Sequence, residues 1–219
     1  MKFKAGMVGL TAIVLAATAG CGTATTAGPE DTVKRASTVP SPQTSSATAH
    51  TRLSSADLQG RWWTWAASEP EETNPVADQD GSACGRNQPR DVWFLAGTFG
   101  TRASRTCTVP DGVPVAFPLV NVFGSPEDCA LFMRTAKGSA VLDGEQVDSD
   151  VHRGEKITVA TVANNAVTGT AGRGTTTGCG LWVQLPPLEP GPHSLKIRGQ
   201  SDDFSTGVDY ALTVEGASD

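Results

Sequence analysis

Long apolar runs are missing from this 219-residue chain. The apolar run from Ala5 to about Ala17 is too short to span the roughly 30 Å hydrocarbon layer of a bilayer, so it is no transmembrane helix. Lys and Arg nowhere gather into a cluster, and the formal net charge is −6. An acidic surface repels phosphate backbones, which argues against nucleic acid as a partner. No Cys-x₂-Cys pair occurs, and His50, His152 and His193 are scattered, so the spacing of a zinc site is absent. The G-x-S-x-G elbow of a hydrolase, the H-E-x-x-H of a zinc protease and the G-x-x-x-x-G-K-[ST] phosphate cradle are also lacking. Large apolar residues are nearly missing from residues 22–51, so that stretch cannot build a core.

What is present begins with an export signal. Lys2 and Lys4 precede the apolar run, and small residues lead to Cys21, giving a signal peptide over residues 1–20. Thr18-Ala19-Gly20-Cys21 resembles a bacterial lipobox, although Thr18 stands where leucine is usual. Ala17-Thr18-Ala19 also fits an ordinary A-x-A cleavage site, which would release a secreted, unanchored protein. Lipidation of Cys21 is the expected outcome. Two or more acyl chains of the palmitate kind, at about 0.8 kcal/mol per buried CH₂, hold firmly to a membrane. Residues 21–51, rich in Ser, Thr, Ala and Pro, read as an extended tether. Losing Lys2 and Lys4 with the signal brings the mature chain to −8.

Residues 52–219 are one domain long. Ser54-Ser55-Ala56-Asp57 signals a helix start, and Leu58, Trp62, Trp65 and Ala66 fall on one stripe of it. Trp63 lies off that stripe and is the one indole to consider as exposed; the other reading wedges it between the helix and the sandwich. A second helix is expected over Pro126 to Ala136, with Ser125 as cap and Gly138 as stop. The rest reads as strands: Val92–Ala96, Val113–Val122, a hairpin about Asp143-Gly144, Lys156–Ala163, and the runs CGLWVQL, HSLKIRG and VDYALTV. Residues 164–180, rich in Gly and Thr, read as a flexible loop. The expected fold is all-β: an immunoglobulin-like β-sandwich with one or two short helices packed on it, stapled by disulfides. Apart from Cys21, the even set Cys84, Cys107, Cys129 and Cys179 allows three pairings. Cys84–Cys107 with Cys129–Cys179 is favoured because each closes a local loop without interleaving.

A set of motifs runs from Arg61 to Asn121. It comprises Trp62-Trp63-x-Trp65, Asn74-Pro75-x-x-Asp78-x-x-Gly81-x-x-Cys84, Gln88, Val92-Trp93-Phe94-Leu95-Ala96-Gly97-Thr98, Arg105-x-Cys107-x-Val109-Pro110-x-Gly112 and Phe117-Pro118. The set resembles a family of bacterial exported proteins, mostly from high-GC Gram-positive bacteria, sometimes labelled only "lipoprotein" or "signal protein". That resemblance implies export and implies no reaction.

Several site chemistries follow from the residues. Asn74, Asp78 and Asp80, with Gly81 allowing a sharp turn, offer hard oxygens to a weak calcium site, with Kd on the order of 10⁻⁴–10⁻³ M. The same residues also suit Asx-turns that order the loop before Cys84. Trp63 offers an indole face for a pyranose ring. Glu69, Glu71, Glu72, Asp78 and Asp80 supply the paired carboxylates a glycan hydrolase needs, about 5–10 Å apart. A triad of His193, Asp209 and a serine is a further arrangement to check. Arg86, Arg90, Arg102 and Arg105 offer cations to an anionic polymer, or pair with nearby acids. The expected function is a non-enzymatic, lipid-anchored extracytoplasmic module binding a cell-wall glycan or a protein, touching the membrane only through its anchor and needing no cofactor. The alternative is a secreted glycan hydrolase working through the Glu69–Asp80 loop.

Overall fold

The computed structural model describes residues 52–216. The signal peptide, Cys21 and the tether lie outside the described residues. The first helix, α1 (Ser55–Ala66), starts where Ser54 accepts a hydrogen bond from the Asp57 backbone N–H. Nine strands follow: β1 (Trp93–Phe94), β2 (Arg102–Val109), β3 (Pro114–Gly124), β4 (Lys137–Leu142), β5 (Glu145–Val147), β6 (Asp150–Thr161), β7 (Gly172–Pro187), β8 (Gly191–Ser201) and β9 (Phe204–Val214). A second helix, α2 (Pro126–Phe132), lies between β3 and β4.

The strands form a four-stranded sheet, in the order β1-β3-β7-β6, and a five-stranded sheet, β2-β9-β8-β4-β5. The two pack as a β-sandwich. Residues of β3 up to its irregularity at Pro118–Val120, and of β7 from Leu181 to Val183, alternate between two cores, as the pleat requires. Phe117, Leu181 and Val183 join Leu195, Ile197 and Leu212 between the sheets. Ala116 and Trp182 face the other way, where Leu58, Trp62 and Trp65 of α1 cover the four-stranded sheet. The sheets close tightly at one point: a Cβ on Gly199 of β8 would stand 1.8 Å from the Leu119 carbonyl oxygen. Only glycine fits there.

Each sheet edge is short or covered, which keeps unpaired backbone from recruiting another chain. β1 and β5 are two and three residues long. The β6 edge lies against α1: the Ala160 N–H donates to Thr64 Oγ1 (3.1 Å) and the Val162 N–H to the Ala67 carbonyl (3.1 Å). The β2 edge lies against the acidic loop, with the Thr106 N–H donating to the Asp80 carbonyl at 2.8 Å.

The disulfides are Cys84–Cys107 and Cys129–Cys179, with Cα separations of 5.9 and 5.8 Å. They tie a loop to β2 and α2 to β7, not one sheet to the other. Each closes a loop worth about 3–4 kcal/mol by chain entropy. The Asp143-Gly144 turn has φ of 51° and 89°, as a type I′ hairpin demands.

Three expectations need correction. The second helix stops at Phe132, because the Ser201 hydroxyl takes the Phe132 carbonyl at 2.7 Å, and Gly138 sits inside β4. The Gly/Thr-rich stretch is a loop only as far as Ala171; from Gly172 it pairs with β6, whose open side supplies a partner that local composition does not reveal. Of Val92–Ala96, just Trp93 and Phe94 form a strand, since side chains claim the backbone beyond. Trp62 Nε1 donates to the Leu95 carbonyl at 2.9 Å, and the Tyr210 hydroxyl bonds Ala96 at both its carbonyl and its N–H.

Candidate functional site

The acidic loop spends its oxygens on itself. Asp78 accepts from the backbone N–H groups of Asp80 (3.2 Å) and Ala83 (3.1 Å), and Asp80 accepts from that of Ser82 (2.9 Å). These are Asx-turns. Asn74 is 1% exposed, donates to the Ala66 and Glu69 carbonyls, and accepts from the Val76 N–H. Both ends of its amide are therefore taken, so the expected calcium set of Asn74, Asp78 and Asp80 is not assembled. Among the described residues no three His, Cys, Asp or Glu side chains converge as a metal site. Glu69 accepts from Thr73 Oγ1 (2.6 Å) and Asn87 Nδ2 (2.9 Å), with Arg86 at 3.6 Å. Glu71 and Glu72 point from a 3₁₀ turn into solvent. The Ser82 backbone N–H, helped by the Ser82 hydroxyl, holds Asp80 below the usual carboxylate range. A glycosidase acid needs the opposite shift.

The loop has a different task. Its Val76 and Asp78 carbonyls receive Arg105, which is 1% exposed, through Nη2 (3.0 Å) and Nε (2.8 Å). Arg105 is thus an interior anchor, not a surface contact for a polymer. Gly81 makes the sharp turn at φ 100°, and a Cβ there would sit 2.2 Å from the Thr106 carbonyl oxygen.

No triad forms about His193. Its Nδ1 meets Asp143 at 2.6 Å and its Nε2 meets the Glu189 carbonyl at 2.7 Å, while Asp209 pairs with Arg198. Both ring partners are acceptors, so the imidazolium satisfies both. The Asp143 bond, then the Glu189 carbonyl, raises the His193 pKa above its ordinary 6.5. Burial pushes Asp143 upward, but the bonds from His193 and the Ser194 N–H together bring it below 3.8. A raised histidine stabilises the fold fully below about pH 6.5 and loses that contribution as pH climbs through its folded pKa. A lowered carboxylate loses its contribution as pH falls below about 3.8. The advantage of the native protein over His193→Gln in urea midpoint is therefore expected to shrink as pH rises from 6 to 9. An unchanged gap contradicts the pairing.

Trp63 is wedged into the fold and not laid open to solvent: it is 9% exposed. Its ring packs at near right angles to Trp62 (4.9 Å between centroids) and to Phe123 (4.7 Å), and so deeply buried a ring offers no open face to a sugar. Its nitrogen is the informative atom. Trp62 and Trp65 give their N–H groups to the Leu95 and Arg86 carbonyls. Trp63 Nε1 is buried and has no partner among the described residues, nor has Asn121 Nδ2. Trp93 and Trp182 also hold unpartnered N–H groups, but Trp63 and Asn121 border one and the same cleft. That cleft has a volume of about 150 Å³ and is mostly apolar. Trp62, Pro118, Phe99 and Phe204 line it as well, and Phe99 and Phe204 are 46% and 38% exposed. A broader groove of about 640 Å³ runs between α1 and β6. It holds Arg61, paired with Asp91, and the exposed Lys156 and Arg173.

No family model matches the chain, and no curated protein matches it either. Among solved structures, the solution structure of Amebosin matches with 13% identity and a TM-score of 0.19, over 52% of this chain and 96% of Amebosin. A likeness that slight carries no argument.

Proposed function

We propose that this chain is a lipid-anchored extracytoplasmic binding module, without catalytic activity, whose Trp63 cleft takes an acetamido group of an envelope glycan. One observation carries the reading: Trp63 and Asn121, each holding a buried N–H donor without a partner (Nε1 and Nδ2), border a single apolar cleft. A buried donor left unpaired costs about 1–3 kcal/mol, which a ligand carrying an acceptor recovers. About 150 Å³ suits a group no larger than benzene. An acetamido group brings a methyl for the apolar wall and a carbonyl oxygen for the donors. The anchor is supported by the signal peptide, Cys21 and tether of the sequence. Export is supported by two disulfides, which persist in oxidising compartments.

Titration with N-acetylglucosamine oligomers is expected to change tryptophan fluorescence saturably, since Trp62 and Trp63 line the cleft. Deacetylated oligomers are expected to leave it unchanged, and Asn121→Leu to abolish the response without unfolding. Equal responses to both oligomers, or none, overturn the proposal. Release of sugar that disappears in the combined Glu71, Glu72, Asp78 and Asp80 alanine variant would establish the hydrolase instead.

A further inference from the structure

The outer face of the five-stranded sheet carries a charge unlike that of the chain. Pairing registers place Arg102, Gly207, Arg198 and Ser139 side by side in one row across β2, β9, β8 and β4. The adjacent row on one side holds Ser205, Gln200 and Lys137; on the other, Ser104, Asp209, Lys196 and Val141. Four cations thus meet one carboxylate on a chain of net charge −6. Asp209 pairs with Arg198 at 2.6 Å, and among the described residues Arg102, Lys137 and Lys196 have no acid within salt-bridge distance.

This face is concave. A trough of about 520 Å³ is bordered by Arg102, Lys137 and Arg198, with Ser139, Gln200 and Ser205 between them. Beside it lies Gly207, with no side chain of its own. A methyl group there would stand 3.2 Å from Arg102 Nη1 and 3.3 Å from Arg198 Cδ, so both arginine chains lean over the bare backbone. Arg198 already gives its fork to Asp209 and to the Ile197 and Val208 carbonyls, which leaves the Arg102 fork and the Lys137 ammonium free for carboxylate or phosphate oxygens. Interleaved hydroxyl and amide groups offer hydrogen bonds to the neutral part of the same ligand.

We infer that this trough binds an anionic glycan, a sugar chain bearing carboxylate or phosphate groups. Charge complementarity selects the anion, and the serine and glutamine side chains select a hydroxyl-rich chain over a bare ion. The trough lies outside the Trp63 cleft, although Thr206 borders both. The inference stands whether or not the cleft takes acetamido groups.

The test uses the full mature chain against polygalacturonate, phosphorylated dextran, neutral dextran and phosphatidylglycerol vesicles. Polygalacturonate, phosphorylated dextran or both are expected to bind, more weakly as salt rises, and neutral dextran not to bind. Whichever polymer binds identifies the anion. Arg102→Gln with Lys137→Gln is expected to weaken binding about tenfold or more, the loss of two charge-assisted contacts. Lys156→Gln with Arg173→Gln removes the same charge from the other sheet and is expected to leave binding unchanged. Neither double variant should alter the melting temperature or the fluorescence response to N-acetylglucosamine oligomers, because all four side chains are exposed. The inference is overturned if neither anionic polymer binds, if neutral dextran binds equally, if vesicles bind and the polymers do not, or if both double variants weaken binding alike.

Discussion

Trp62→Ala is expected to cost about 3–5 kcal/mol of stability, the upper range for emptying a buried aromatic site. Trp62 is 2% exposed and stands at the centre of the aromatic cluster. Its ring meets Trp63, Trp65 and Trp182 at centroid distances of 4.9, 5.9 and 5.6 Å, each edge to face. Alanine removes those contacts and orphans the Leu95 carbonyl that the indole N–H now satisfies. Rigid sheet on one side and helix on the other keep the cavity from collapsing. Domains of this kind have about 5–15 kcal/mol in total, so the variant loses a large share of its stability. Urea denaturation followed by near-UV circular dichroism reads the loss. A cost below about 1 kcal/mol would mean that α1 is not seated on the sheet through this residue.

Arg105→Met is expected to be comparably damaging, about 3–5 kcal/mol, because several buried carbonyls lose their donor. The guanidinium is fully interior, and the acceptors it reaches are neutral: the carbonyls of Val76, Asp78, Ala96 and Gly97, and the Tyr210 hydroxyl, at 2.8–3.1 Å. Its carbon lies 5.7 Å from the Tyr210 ring centre, adding a cation–π contact. Methionine fills much of the same space yet takes the donor from the Val76, Asp78 and Gly97 carbonyls, the Ala96 carbonyl keeping the Tyr210 hydroxyl, and each unsatisfied group costs about 1–3 kcal/mol before relaxation. Arg105→Lys keeps the charge and loses the fork, so an intermediate cost is expected. Beyond global stability, Arg105→Met should free the Val76–Asp80 loop from β2. Amide exchange at Thr106, whose N–H donates to Asp80, should then quicken ahead of exchange in β8. Full protection at Thr106 in that variant would contradict the anchoring role.

Arg105 also explains the largest gap between sequence and structure. β2 alternates perfectly, with Ala103, Arg105, Cys107 and Val109 inward and Arg102, Ser104, Thr106 and Thr108 outward. An arginine at an inward position hides that pattern, because what makes it tolerable is a set of carbonyls from distant loops. Features set by neighbours in the chain were readable: the Ser54 cap, the Asp143-Gly144 turn, the Leu58–Trp62–Trp65 stripe and the cysteine pairs. Features set by distant partners were not. Ser201 ends α2, β6 recruits residues from Gly172 into β7, and Phe123 buries Trp63. The cleft belongs to the second kind, since Trp63, Phe99, Asn121 and Phe204 come from four separate segments. The offset of Trp63 from the helix stripe was legible in the sequence; the packing of Phe123 against its ring was not. The acidic loop drew attention through its composition, while its work is carried by backbone carbonyls that no side-chain pattern announces.

The proposed function rests on a disulfide-stapled sandwich displayed outside the cytoplasm from a lipidated Cys21. The intact mass of the native chain extracted from membranes, taken with and without reduction, tests it most directly. The expected mass begins at Cys21, carries the added acyl chains, and gains four hydrogens on reduction as Cys84–Cys107 and Cys129–Cys179 open. An unacylated chain with four free thiols before reduction would contradict it.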